Sequence, residues 1–147
     1  MCRFEFDKTF LKSGIYIIKC IQTKKYYVGS AGSVYNRLQN HKRLLEKSRH
    51  HNKGLQADYN AGHDFQISII QEFNNQEQPD LIIAIEYLYM IDLLKKGLYL
   101  YNAESIPYKD QDVKQYFINC ILGRLRRLYN TEFNSYYFNY LESKKED

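Results

Sequence analysis

The sequence predicts an α+β domain, with strands and amphipathic helices sharing one core. Three observations point there. Residues 15–21 and Tyr26-Tyr27-Val28 are rich in β-branched and aromatic side chains, and the polar stretch 22–25 separates them, which is the pattern of an antiparallel hairpin. Residues 65–70 alternate in polarity and read as a third strand. Residues 34–47 and 81–96 carry helical apolar patterns with stop and start signals at their ends.

Taken in order, Ser30-Ala31-Gly32 is a small-residue corner after the hairpin, and Ser33 is placed to cap the helix 34–47. On that helix Val34, Leu38 and Leu45 form one stripe, His41 lies beside it, and Arg37 lies at its edge one turn earlier. Lys42, Arg43 and Lys47 lie further round. Asn52 is placed to cap a short helix through Leu55 and Tyr59 that Gly62 ends. Asp80 is expected as the N-cap of the helix 81–96, with Lys95 and Lys96 in its last turn and Gly97 as its C-cap. Residues 99–102 suit a short edge strand. Ser105-Ile106-Pro107 marks the clearest boundary. It divides a domain at 1–103 from a helical extension at 104–147. The extension holds an amphipathic helix at 112–128 and then an aromatic segment from Phe133 to Tyr140.

The chain has 147 residues, 44% hydrophobic and 26% charged, enough for one domain with a core. No run of 18 apolar residues is present, so no transmembrane helix is expected, and the first ten residues do not read as a signal peptide. Three scattered cysteines without a CxxC argue for a reducing compartment. The net charge of +4 is uneven: residues 1–60 carry 12 Lys/Arg against 4 acids, and residues 61–112 carry 3 against 9. A basic N-terminal half suits a phosphate backbone, although a solvated polar surface would look the same.

Glu86 is the sharpest anomaly. Its helix is apolar around nearly its whole circumference, and Glu86 shares a stripe with Ile82, Tyr89 and Leu93. An unpaired carboxylate there costs several kcal/mol or is forced to protonate, so it needs a cation, either a divalent metal or Arg37. Asp92 lies on another side and is expected to be exposed. Arg37 and His41, spaced i, i+4, project together, which is also what a solvated basic face would do. Tyr16 and Tyr27 sit on neighbouring strands; each alone is more often core than catalytic, and only their joint placement with Arg37, His41 and Glu86 favours chemistry. His41, His50, His51 and His63 match no common zinc-ligand spacing.

The chain resembles the GIY-YIG nuclease superfamily, most of all the nuclease domain of phage intron-encoded homing endonucleases. Residues 13–103 carry the resemblance: Gly14-Ile15-Tyr16, then Tyr27-Val28-Gly29-Ser30-Ala31, the helix with Arg37 and His41, a further His50, Glu86 and Asn102. The resemblance implies a small three-stranded antiparallel sheet flanked by helices. It implies hydrolysis of DNA phosphodiesters with one divalent metal per site, Mg²⁺ or Mn²⁺. It puts the metal on Glu86, the scissile phosphate on Arg37, and the work near the attacking water on Tyr16 or Tyr27. His41 would hydrogen-bond a tyrosine or assist proton transfer, with His50, Asn102 and Ser30 in support.

The chemistry agrees. A guanidinium offsets charge as the pentacovalent state forms, and one carboxylate suits a hard ion that keeps several waters. A phenol with a pKa of about 10 needs help to act as a base; Tyr16 is favoured for that role and Tyr27 as its partner. Duplex DNA would meet Lys24, Lys25, Lys42, Arg43, Arg49 and Lys53, and, from the extension, Arg124, Arg126 and Arg127. The extension is too short for the separate DNA-binding domain of homing relatives, so it would touch DNA, make a homodimer or cap the core. A single site cuts one strand. The expected setting is a phage or mobile element acting in the cytoplasm of a bacterial host. The alternatives are a compact dimeric restriction-type enzyme and a DNA-binding module that does not cut.

Overall fold

A strand that reads as apolar on both faces needs cover on both, and residues 13–20 become the centre of the sheet for that reason. The computed structural model describes residues 4–73, 79–103 and 123. Its elements are β1 (Ser13–Cys20), β2 (Lys25–Ala31), α1 (Val34–Glu46), α2 (Lys53–Asn60), β3 (Phe65–Phe73), α3 (Pro79–Lys95) and β4 (Tyr99–Leu100), followed by a 3-10 turn at Tyr101–Ala103. The sheet order is β3-β1-β2-β4. β1 pairs antiparallel with both β2 and β3.

The sheet has four strands rather than three. The short segment after α3 adds β4 parallel to β2, pairing Lys25 with Tyr99 and Tyr26 with Leu100. The edge strand expected at 99–102 is present, shortened to Tyr99–Leu100. β2 also runs through Ser30 and Ala31, which are strand rather than corner, because both keep their pairing with β1. α3 starts at Pro79, so Asp80 is inside its first turn and not its cap. Proline fits the first helical position because its fixed φ is helical and its missing N–H would have no partner there. The N-caps Ser33 and Asn52 are as expected: each side-chain oxygen accepts from a backbone N–H three residues on. α3 ends where the N–H groups of Gly97 and Leu98 bond back to the carbonyls of Leu94 and Leu93. The helices expected at 112–128 and beyond lie outside the described residues.

Period-two alternation sorts the sheet into two cores. Ile15 and Val28 face α3, where they meet Ala84, Ile85, Leu88 and Ile91. Tyr16, Ile18 and Cys20 face the other way and pack with Val34, Leu38, Leu45 and Leu55 of α1 and α2. Each fully buried aliphatic side chain contributes about 1.5–3 kcal/mol, so either layer alone is worth more than the net stability of a small domain. α3 lies against one face of the sheet, in contact with β1, β2 and β4. Asp92, expected at the surface, has a side chain only 15% exposed and pairs with Lys96 at 3.1 Å.

Two glycines let the central strand carry large residues. Opposite Gly14 the register with β3 shifts between Ile15 and Tyr16, a bulge that re-aims the following side chain. A Cβ on Gly14 would lie 2.5 Å from the Gln71 carbonyl oxygen. A Cβ on Gly29 would collide with the ring and hydroxyl of Tyr16, its cross-strand partner. The missing side chain at Gly29 is therefore the space in which the Tyr16 phenol lies.

Candidate active site

Tyr16 is the most deeply set of the candidate residues, 1% exposed. Alternation on β1 turns it toward α1, and Gly29 leaves room for its hydroxyl. There it meets His41 Nε2 at 2.7 Å. His41 is itself 3% exposed, projecting from α1 between the core residues Leu38 and Leu45. Its Nδ1 lies 2.6 Å from His50 Nε2. His50 Nδ1 in turn accepts the backbone N–H of Asn52 at 3.0 Å. Tyr27 lies on β2, its ring stacked toward Tyr16 with centroids 6.5 Å apart and edge-on to His41 at 5.2 Å. His51 stacks on His50 at 4.5 Å and remains exposed.

Glu86 comes from the opposite face of the sheet. β4 pairs only with Lys25 and Tyr26, so β2 beyond Val28 has an open edge. There the Ser30 hydroxyl and backbone N–H both donate to the Glu86 carboxylate. Asn102 continues the edge with its side chain. Its amide accepts from the Val28 N–H at 3.0 Å and donates to the Val28 carbonyl at 2.9 Å, acting as one more strand residue. Arg37 is exposed, yet its charge acts on Tyr16, Tyr27, His41 and Glu86. Tyr16, Tyr27, His41 and His50 thus lie in contact, Glu86 is bonded by Ser30, and the Arg37 charge acts on Tyr16, Tyr27, His41 and Glu86, with Asn102 bracing β2 at Val28.

Burial sets the protonation states. It pushes the Glu86 carboxyl up to about 7, against the pull of Ser30 and Arg37. It raises Tyr27 to about 12, helped by Glu86 and opposed by Arg37. Tyr16 is raised above the usual phenol range by burial first, then by Tyr27. Burial and the neighbouring imidazoles lower His41 to about 3, and burial lowers His50 to about 4. Both imidazoles are neutral at pH 7.

These shifts predict acid sensitivity. A histidine whose folded pKa is depressed holds its stability above the unfolded value of about 6.5 and loses it as pH falls toward the folded value. Glu86 opposes this between about 4.5 and 7, because its folded form keeps a proton that the unfolded form has lost. Two protons gained by the unfolded chain against one kept by the native chain leave a net slope of about 1.4 kcal/mol per pH unit. The urea midpoint, measured without divalent ions, is expected to fall steadily from pH 6.5 to 5. A flat profile would exclude two buried neutral imidazoles.

The donor set fits a hard divalent ion. Glu86 is a half-buried carboxylate that burial holds near 7, and among the described residues the exposed Arg37 is the cation that acts on it. Among the described residues no three His, Cys, Asp or Glu side chains cluster as a metal site. One carboxylate suits Mg²⁺ or Mn²⁺, which keep most of their waters and complete their shell on a substrate phosphate. It does not suit the His/Cys cages of structural zinc.

The basic residues divide. Lys24 is exposed in the hairpin turn, and Arg49 and Lys53 are exposed around the start of α2. Lys25 lies over the Tyr99 ring at 5.1 Å and the Tyr101 ring at 5.7 Å. Lys42 and Arg43 line a cleft between α1 and the N-terminal segment that they share with Glu5 and Glu46. Arg124, Arg126 and Arg127 lie outside the described residues. Sequence reasoning missed a second polar network behind the site. Tyr101 donates to Asp58 at 2.5 Å, and Thr23 donates to the same oxygen at 3.3 Å. Asn52, expected only as a cap, also donates to the Tyr101 carbonyl at 2.9 Å. Nothing local to residues 23, 58 and 101 announces that they meet.

Comparison with known proteins fits this geometry. Residues 12–102 match the family model described as the GIY-YIG catalytic domain. The chain is 39% identical over 101 residues to intron-associated endonuclease 1 of Enterobacteria phage T4, an alignment covering 68% of this chain and 40% of that protein. It therefore spans about two fifths of the length of that relative. Two solved structures of the catalytic domain of I-TevI, a homing endonuclease, one of them a mutant, match with a TM-score of 0.53 and 37% identity. They cover 60% of this chain, and 90% and 95% of theirs. Among the described residues no helix is long and apolar enough to cross a membrane.

Proposed function

The chain belongs to the GIY-YIG catalytic domain family, and from that premise we propose that it is a metal-dependent DNA endonuclease. It hydrolyses one strand per active site, belongs to a phage or mobile element, and works in the cytoplasm of a bacterial host. The observation that carries this reading is that one guanidinium, Arg37, acts on two phenols and a half-buried carboxylate, with Glu86 acting on both phenols in turn.

In this reading Arg37 binds the scissile phosphate, where a guanidinium meets two oxygens and offsets the charge that grows in the pentacovalent state. Tyr16, in its deprotonated form, takes the proton of the attacking water as the new O–P bond forms. The bond from phosphorus to the leaving sugar oxygen breaks, and that oxygen is protonated from solvent. Tyr16 suits this role because His41 supports its oxygen at 2.7 Å. Tyr27 stacks beside the phenol as its partner. Glu86 would hold a divalent ion, which when bound would supply Lewis-acid chemistry and a positive charge favouring phenolate. Lys24, Arg49 and Lys53 offer exposed charge to the duplex backbone. Two such sites, as in a homodimer, would break both strands.

Purified protein with Mg²⁺ is expected to nick supercoiled plasmid, and excess EDTA to stop it. Tyr16→Phe should lower the rate by roughly 10²–10⁴-fold, the range for loss of a general base, and Tyr27→Phe by less. Equal, mild losses would remove tyrosine from proton transfer. Binding without cleavage of any DNA topology would leave a DNA-binding module instead.

A further inference from the structure

The hydrogen bonds behind Tyr16 form a chain with a fixed direction. Its start is a backbone amide, which can only donate: the Asn52 N–H points at His50 Nδ1 at 3.0 Å. His50 Nδ1 therefore accepts and carries no proton. His50 is neutral, so its one proton is on Nε2. That Nε2–H faces His41 Nδ1 at 2.6 Å, which must then accept. His41 is neutral as well, and its proton is on Nε2, facing the Tyr16 oxygen at 2.7 Å.

We propose that His50 is a positioning residue which, anchored by the Asn52 amide, locks His41 as the Nε2–H tautomer, so that His41 donates a hydrogen bond to Tyr16 and cannot take its proton. The assignment of tautomers rests on the geometry alone; its consequence for catalysis rests on the nuclease reading above. The expectation that His41 assists proton transfer is thereby narrowed. A proton leaving Tyr16 through His41 would have to displace one along the chain, and the chain ends at an amide that already fills His50 Nδ1. His41 works instead as an N–H donor that stabilises phenolate, against the burial that disfavours it. It also turns the phenol's own O–H away from the imidazole.

The device is built from three consecutive residues. His50, His51 and Asn52 precede α2, and Asn52 is held in place as the helix cap, its Oδ1 accepting the Leu55 N–H at 3.0 Å. The His50 N–H is tied to Gln56 Oε1 at 3.0 Å. His50 is 7% exposed, so water does not compete for its ring nitrogens. The same second-layer logic fixes imidazole tautomers around metal sites, where the partner of the outer nitrogen decides what the inner one can do.

The test is long-range ¹H–¹⁵N correlation of the histidine rings in the intact protein near pH 7. Wild type is expected to show a protonated Nε2 and a bare Nδ1 for both His41 and His50. In His50→Leu the His41 ring should become a mixture of tautomers. His50→Gln can still donate an amide N–H to Nδ1 and should restore the single form. In plasmid cleavage His50→Leu is expected to lower kcat about 10- to 100-fold with KM unchanged, in the range a positioning partner commands, and His50→Gln to recover most of it. A protonated Nδ1 on wild-type His41 overturns the proposal, as does equal activity in the Leu and Gln variants. If His50→Leu does not fold, the wild-type and His50→Gln spectra still decide the tautomer. The predicted spectrum in a protein that cuts no DNA would sink the nuclease reading and leave the tautomer lock standing.

Discussion

Glu86→Gln is expected to stop cleavage and to stabilise the fold, two effects of opposite sign from one atom exchange. Burial raises the carboxyl to about 7, so a charged Glu86 is disfavoured in the native state above that pH. For an acid with a raised pKa, stability is full below the unfolded value and is lost as pH rises through the folded one. A shift of this size is worth about 3 kcal/mol at pH 8 as an upper bound, and glutamine removes it while keeping an acceptor for Ser30. The expected gain in urea unfolding at pH 8 without divalent ions is about 1–3 kcal/mol. Cleavage should fall by about 10³-fold or more, since a bound metal contributes several kcal/mol of transition-state stabilisation. Wild type should gain thermal stability as Mg²⁺ is added, and Glu86→Gln should not. Loss of both stability and activity would make Glu86 a structural residue. Full activity in Glu86→Gln would end the metal assignment.

Arg37→Ala is expected to lower kcat by roughly 10²–10³-fold, the loss typical for one donor aimed at transition-state charge. Arg37 is exposed, and the helix turn that carries it buries Leu38 and His41 instead. Its removal should therefore change stability by no more than about 0.5 kcal/mol. Arg37 also pulls Tyr16, Tyr27 and Glu86 toward their charged forms. Part of the lost rate should come back at higher pH, where the phenol ionises unaided. Arg37→Lys keeps the charge but not the planar fork, and should recover only a fraction. A loss confined to KM would make Arg37 an ordinary backbone contact and leave the developing charge without a named partner.

Much of this protein is legible in its sequence because local rules act over short distances. The hairpin follows from two β-rich runs around a polar turn, and α1 and α2 from Ser33 and Asn52, whose caps are as expected. Glu86 stands out because a carboxylate in an apolar helix has no local reason to be there. The spacing of Tyr16, Tyr27, Arg37 and His41 follows from one hairpin and one helix in succession, and the structure brings all four together.

Other features depend on partners far apart in the chain, and no local signal could reveal them. An edge strand at 99–102 is expected locally, but its parallel pairing with β2, 74 positions earlier in the chain, is not. Asp92 is covered rather than exposed, and pairs with Lys96 one turn on. Gly29 reads as a motif glycine, yet its physical role is the volume that the Tyr16 ring fills from the next strand. His50 carries a composition signal but no role until folding brings its Nε2 to His41 Nδ1 and aims the Asn52 amide at its far nitrogen. Residue types and their spacing determined which groups this protein could bring to a phosphate. Which of them is buried and which hydrogen bonds it makes was decided by tertiary structure, because burial and hydrogen-bond direction are set by neighbours distant in sequence.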